Sequence, residues 1–247
     1  ARRVGASLEV LGLGEPWRGL GSKVDLLRAY LADPDRDVRD GDLLLFLDAY
    51  DVLLLPPARD LPAKFAALEV DEPGAVVFNS ELACAPDGAL RLAYPRLAPG
   101  EPFHFLNSGV YLGRVRDVRA MLDAVAADVA AHHVAFGADP FRFDDQRWFH
   151  RFHLAHPGRV HLDTTAAFFQ TLHDTTVDDY ALVDDGGAAA LRSRVSGAAP
   201  AAVHGNGNGI DTFHALSKML GDAGWPEAAP GGVASTSSPI PQHRAAA

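Results

Sequence analysis

The apolar run at residues 43–47, Leu-Leu-Leu-Phe-Leu, is followed by Asp48-Ala49-Tyr50-Asp51 and by a second apolar run, Val52–Leu55. No other segment constrains the chain as much. A run that is continuous rather than alternating reads as a strand buried on both faces, as in a sheet covered by helices. Two carboxylates at the end of such a strand are costly to bury unless something positive offsets them. A divalent cation does so well, because hard oxygen ligands suit Mg²⁺ or Mn²⁺ and these ions bridge substrate phosphates. Acidic residues at strand ends also start turns and cap helices, and this segment alone leaves both readings open.

Around that strand, short apolar runs alternate with helical patterns. Strands are expected at Ser7–Leu11, Ala75–Asn79 and Val110–Leu112, and around Val160, Phe168 and Ala202–Val203. Ser22 is the expected N-cap of a helix with Val24, Leu27 and Leu31 on one face. Further helices are expected at Asp60–Glu69, with Pro62 in the first turn, at Asp117–Ala131, and at Asp144–Phe152. The alternation predicts an α/β layered domain with a mainly parallel central sheet.

The chain has 247 residues, 48% of them hydrophobic, enough for one large domain or two small ones. A net charge of −10 argues against a nucleic-acid partner, which calls for a basic face. Cys84 is the single cysteine, so no internal disulfide can form. No apolar run approaches the ~20 residues of a membrane span, and Ala1-Arg2-Arg3 opens no apolar signal-peptide core. From Ala228 the composition turns to Ala, Pro, Gly and Ser, so a folded domain is expected at 1–227 and a flexible tail at 228–247.

Four other segments bear on chemistry. Val203-His204-Gly205-Asn206-Gly207 describes a strand end opening into a loop whose glycines let backbone N–H groups approach a phosphate, with an imidazole suited to a metal. The bland alternative is a Gly-Asn turn. Asn107-Ser108-Gly109 presents small polar groups to sugar hydroxyls, or makes a tight turn between strands. Asp144-Asp145 accepts hydrogen bonds from a sugar or deprotonates a hydroxyl, or caps the helix that follows, and a cap needs only one of them. Lys23 in Gly21-Ser22-Lys23 places a cation at a helix start, a natural phosphate site.

Taken in order, LGLGEPWRG, GSKVDLLRAYL, FLDAYDVLL, VVFNSELACAP, FLNSGVYLG, DDQRWF, VHGNGNG and LGDAGWP resemble the glycosyltransferase domain of the procollagen lysyl hydroxylase (procollagen-lysine 2-oxoglutarate 5-dioxygenase) and collagen glycosyltransferase family, in register over roughly residues 8–226. The resemblance implies a GT-A-type, Rossmann-like fold that binds a UDP-sugar and Mn²⁺. It assigns Asp48, Asp51 and His204 to the metal, Tyr50 to the uracil, and Lys23 with Gly205, Asn206 and Gly207 to the donor. Asp144 and Asp145 fall beside the donor sugar and acceptor, with Asn107 and Ser108 as candidates for orienting them. The implied reaction moves glucose from UDP-glucose or galactose from UDP-galactose to a hydroxylysine-type or glycosylated, collagen-like acceptor. The implied location is the secretory pathway, in the endoplasmic reticulum lumen.

The chain also departs from the family pattern. The family's first strand has no counterpart before Ala1, Cys84-Ala85-Pro86 stands where the family has Cys-Trp-Pro, and Asn208–Asp211 replace a lysine that closely follows His-Gly-Asn-Gly. These departures favour a second reading, a catalytically weak or inactive module that keeps the fold for binding or docking. A third is a metal-dependent hydrolase of nucleotide sugars, which differs from the transferase only in needing no acceptor.

Overall fold

The computed structural model describes residues 8–136, 144–185 and 188–223, so the expected tail lies outside the described residues. In chain order the elements are α1 (Ser22–Ala32), β1 (Leu43–Leu47), β2 (Val52–Leu54), α2 (Leu61–Asp71), β3 (Val76–Glu81), β4 (Phe105–Arg114), α3 (Val115–Phe136), α4 (Asp145–Ala155), β5 (Val160–Asp163), β6 (Phe169–Thr171), β7 (Tyr180–Asp185), β8 (Ala188–Ser193), β9 (Ala202–His204) and α5 (Ile210–Asp222). A central sheet has the order β1-β4-β3-β5, a smaller sheet the order β2-β9-β6, and β7-β8 form a hairpin.

Helices cover the central sheet on both faces. On one face, Val24, Leu27 and Leu31 of α1 pack with Val118, Leu122 and Val125 of α3 and Phe149 and Phe152 of α4. These positions recur every three or four residues, which is why each helix has one apolar stripe to bury. Tyr111 lies at the centre, stacked between Phe46 and Phe78 with ring centroids 4.6 and 4.8 Å away. On the other face, Phe65 of α2 packs with Val77, Val110, Phe169 and Ala202. A third cluster joins α5 to the hairpin through Leu191, Phe213, Leu216 and Leu220. Among the described residues no helix is long and apolar enough to cross a membrane.

The sheet is mixed, which corrects the expectation of mainly parallel strands. β4 runs antiparallel to both β1 and β3, and only β3 and β5 are parallel. β1, expected to be buried on both faces, is half-buried at all five positions and lies at the sheet edge, and a continuous apolar run carries no information on strand direction. Nor is there a strand at the start of the described chain: residues 8–10 are irregular and 11–14 form turns. Leu8 and Val10 are exposed. Gly21 rather than Ser22 is the N-cap of α1, and Ser22 is already helical. Asn107-Ser108-Gly109 is not a turn between strands but lies inside β4.

Candidate functional site

β1 and β2 are one apolar run broken by a turn that passes the chain from one sheet to the other. The Asp48 N–H donates to the Gly109 carbonyl at 2.8 Å, leaving Asp48 at the end of β1 beside β4. Tyr50 then takes φ 78°, a left-handed conformation rare for a bulky residue, and its ring is 92% exposed. Beyond it, Val52 stands opposite His204, and the Gly205 N–H donates to the Asp51 carbonyl at 2.8 Å. The two acids and the imidazole therefore meet where the sheets adjoin. His204 Nε2 lies 3.3 Å from Asp51 Oδ2 and 3.9 Å from Asp48 Oδ2.

The neighbours of His204 decide which ring nitrogen carries the proton. The Gly109 N–H donates to Asn107 Oδ1 at 3.0 Å, and Asn107 Nδ2 donates to Glu81 Oε1 at 3.3 Å, which fixes the amide orientation. Asn107 Oδ1, 3.0 Å from His204 Nδ1, is then an acceptor, so Nδ1 carries the hydrogen. Nε2 is the ring nitrogen that faces the two carboxylates. A bulge makes this possible: the β3–β4 register jumps from Phe78↔Tyr111 to Asn79↔Asn107, which frees Ser108 and Gly109 from the β3 ladder.

On the other side of Asp48 stands Lys23, in the first turn of α1. Its Nζ lies 3.0 and 3.1 Å from the two Asp48 oxygens and 3.0 Å from Asp145 Oδ2. Burial opposes the charge of Lys23, yet Asp145 and Asp48 outweigh it and hold the ammonium above its ordinary range. Burial pushes the Asp145 carboxyl up, against the pull of Lys23. The acidic pair divides its work. Asp144 is the N-cap of α4, accepting from the Arg147 N–H at 3.2 Å, while Asp145 turns inward to Lys23. Next on α4, Gln146 accepts from the Ser108 N–H at 3.1 Å.

Glu81, the last residue of β3, ties these parts together and was not singled out in the sequence. Its carboxylate is 3% exposed and accepts from Asn107 Nδ2, from Gln146 Nε2 at 2.7 Å and from Asn206 Nδ2 at 2.8 Å. Burial raises its pKa, and the amide donors of Asn107 and Gln146 act against that. Asn206 also fixes the Gly-Asn loop, since its Oδ1 accepts from the Leu172 and His173 N–H groups at 3.2 and 3.3 Å. Gly205 and Gly207 are required here for space: a Cβ would stand 2.8 Å from Phe213 Cβ and 2.5 Å from His173 Nδ1 respectively. Every residue expected at the site thus adjoins this one region except Tyr50, whose ring points to solvent, and Asp144, which is engaged as a cap.

The model of the "PLOD GT domain" family matches residues 1–228. The chain belongs to the PLOD GT domain family. It is 30% identical over 220 residues to a procollagen-lysine,2-oxoglutarate 5-dioxygenase of Drosophila melanogaster, covering 84% of this chain and 28% of that protein. It is 26% identical to the multifunctional procollagen lysine hydroxylase and glycosyltransferase of Caenorhabditis elegans, over 90% of this chain and 30% of the relative. With the human multifunctional procollagen lysine hydroxylase and glycosyltransferase LH3 it shares 29% identity, over 81% of this chain and 26% of the relative. The chain therefore spans between a quarter and a third of the length of these relatives.

In this PLOD GT domain, two carboxylates and an imidazole nitrogen form a donor set of the types that fit a hard or borderline divalent cation. His204 Nε2 and the carboxylates of Asp51 and Asp48 face one another at 3.3 and 3.9 Å, the side on which an ion would be held. The Asn107 bond to Nδ1 is the outer-shell arrangement that orients a metal-binding imidazole. As the side chains stand, no group of three or more His, Cys, Asp or Glu among the described residues is gathered closely enough to hold an ion. Asp48 is drawn to Lys23 and stands farther from His204 than Asp51 does.

Proposed function

We propose that this PLOD GT domain is a Mn²⁺-dependent hexosyltransferase, using UDP-glucose or UDP-galactose and a hydroxylysine-type or glycosylated collagen-like acceptor. The observation that carries the reading is the meeting of Asp48, Asp51 and His204, far apart in the sequence, with His204 Nε2 facing both carboxylates. Two relatives whose names include glycosyltransferase support it.

Asp48, Asp51 and His204 would hold the metal, which when bound supplies Lewis-acid neutralisation of the charge on the departing diphosphate. The other steps fall to the chain. Lys23 and the N–H groups of Asn206 and Gly207 would contact the diphosphate, the Gly205 N–H being held by the Asp51 carbonyl. The exposed Tyr50 ring offers a face to the uracil. Asn107 and Ser108, set by the β4 bulge, orient the sugar, and fixed groups of this kind act by removing the entropy of alignment. Asp145 would take the acceptor hydroxyl's proton, and Glu81 would act through Asn107, Gln146 and Asn206 as a positioning residue.

The test is UDP release from UDP-glucose and UDP-galactose with Mn²⁺, with and without a collagen-type peptide. Release that depends on the peptide supports the transferase, and release independent of it supports the hydrolase. Tight Mn²⁺ and UDP binding without turnover supports the docking module, a reading favoured by Asp48 already being occupied by Lys23. Absence of UDP binding contradicts the transferase and the hydrolase.

A further inference from the structure

We propose that Lys23 is the resident cation of the metal-free site, and that it yields Asp48 to an incoming divalent ion while keeping Asp145. The inference rests on the reading of Asp48, Asp51 and His204 as metal ligands. It concerns what the site does before the ion arrives.

One ammonium serves two carboxylates here: both Asp48 oxygens, at 3.0 and 3.1 Å, and Asp145 Oδ2, at 3.0 Å. The two acids are not equivalent. The Asp145 side chain is 3% exposed and that of Asp48 is 21% exposed, so stripping the cation from Asp145 is the more costly change. Of the two acids on Lys23, Asp48 is the one that also faces the other expected ligands, with His204 Nε2 3.9 Å away. The gap to Asp48 exceeds the 3.3 Å gap to Asp51, the difference expected if Lys23 holds Asp48 back from the ligand set. Lys23 and its surrounding acids leave a net negative charge that a divalent ion would neutralise. The exchange therefore breaks one ion pair and replaces it with a stronger one. It leaves the deep Lys23–Asp145 pair intact and the ammonium free on one side for an anionic ligand.

The account makes Lys23 a competitor of the metal, which separates it from a residue that only binds the donor. The measurement is a Mn²⁺ titration of the full chain without nucleotide, following free Mn²⁺ by its EPR signal. It compares the unsubstituted chain, Lys23→Gln, and the double variant Lys23→Gln/Asp145→Asn, whose net charge equals that of the unsubstituted chain. Mn²⁺ is expected to bind both variants about tenfold more tightly, the scale of one lost competing ion pair. The metal-free Lys23→Gln chain is expected to melt lower, with Asp145→Asn restoring part of the loss. Unchanged or weaker Mn²⁺ binding by the double variant overturns the handover, because Lys23 would then act only through net charge or not at all. An unsubstituted chain that binds no Mn²⁺, with or without UDP, overturns instead the metal reading beneath it.

Discussion

Gly109 and His204 approach so closely that a Cβ on Gly109 would stand 2.0 Å from His204 Cε1. The contact is to a ring already held at Nδ1 by Asn107 and enclosed on a 4% exposed site, so it cannot be relieved by a free rotation. Gly109→Ala is therefore expected to displace the imidazole. Overpacking of this kind costs about 1–3 kcal/mol, and Mn²⁺ affinity is expected to fall at least about tenfold. Equilibrium unfolding and Mn²⁺ titration check the two effects, and unaltered metal affinity would show that His204 is not a ligand.

Glu81 lies outside the ligand set but orders it. Glu81→Gln keeps the shape and replaces an oxygen acceptor with an N–H₂ group. Three amide donors, from Asn107, Gln146 and Asn206, converge on this side chain, so at least one must lose its acceptor. Outer-shell changes of this kind typically cost about 10–100-fold in metal affinity. That loss is expected for Glu81→Gln in a Mn²⁺ titration, together with weaker binding of UDP through the Asn206 loop. Loss of stability with unaltered Mn²⁺ and UDP binding would mark Glu81 as purely structural.

The two neighbouring acids at the start of α4 are expected to separate in their effects. Asp144→Ala removes an N-cap and should cost about 1 kcal/mol of stability. Asp145→Asn removes the buried partner of Lys23, and turnover is expected to fall about a hundredfold or more, the contribution of a positioned base. Urea unfolding and the UDP-release assay separate them. A larger loss of turnover in Asp144→Ala would reverse the assignment.

Much of the site was legible because its residues break local patterns. Asp48 and Asp51 interrupt an apolar run, and His204 closes one, so each announces a polar group at the margin of the core, half-buried for the two acids and buried for His204. The limits of β1 at Leu43–Leu47 were legible for the same reason. Glu81 sends the same signal, a charge ending the apolar run Val76–Phe78, but Asn79 and Ser80 soften the break and it was passed over. β4 was read only at Val110–Leu112 because Asn107, Ser108 and Gly109 look like a turn. Asn107 stays paired with Asn79, and the bulge that follows takes Ser108 and Gly109 out of the β3 ladder. The β7–β8 hairpin went unread, although Gly186-Gly187 between two runs is a hairpin signal. Lys23 was assigned to phosphate from its place at a helix start, and its contacts with Asp48 and Asp145 depend on packing that no local pattern encodes.

Behind the site, burial presses His150 and His153 down to about 4. A histidine with a depressed folded pKa contributes stability that is complete above its unfolded value, about 6.5, and is lost as pH falls towards 4. Each shift corresponds to roughly 2–4 kcal/mol. His153 Nδ1 has no hydrogen-bond partner among the described residues, so His153→Leu removes a titrating group without breaking a bond at that nitrogen. The variant is expected to lose less stability than the unsubstituted chain between pH 6.5 and 4, as measured by urea unfolding. Parallel pH profiles would show that His153 does not titrate in the folded chain as described.

The most direct measurement is the anomalous scattering of a crystal soaked in MnCl₂ and UDP. One Mn²⁺ peak is expected within bonding distance of Asp48, Asp51 and His204 Nε2, with the Lys23 ammonium withdrawn from Asp48 and still on Asp145. A peak elsewhere, or none while UDP is bound, would contradict the assignment of these three residues to a common ion.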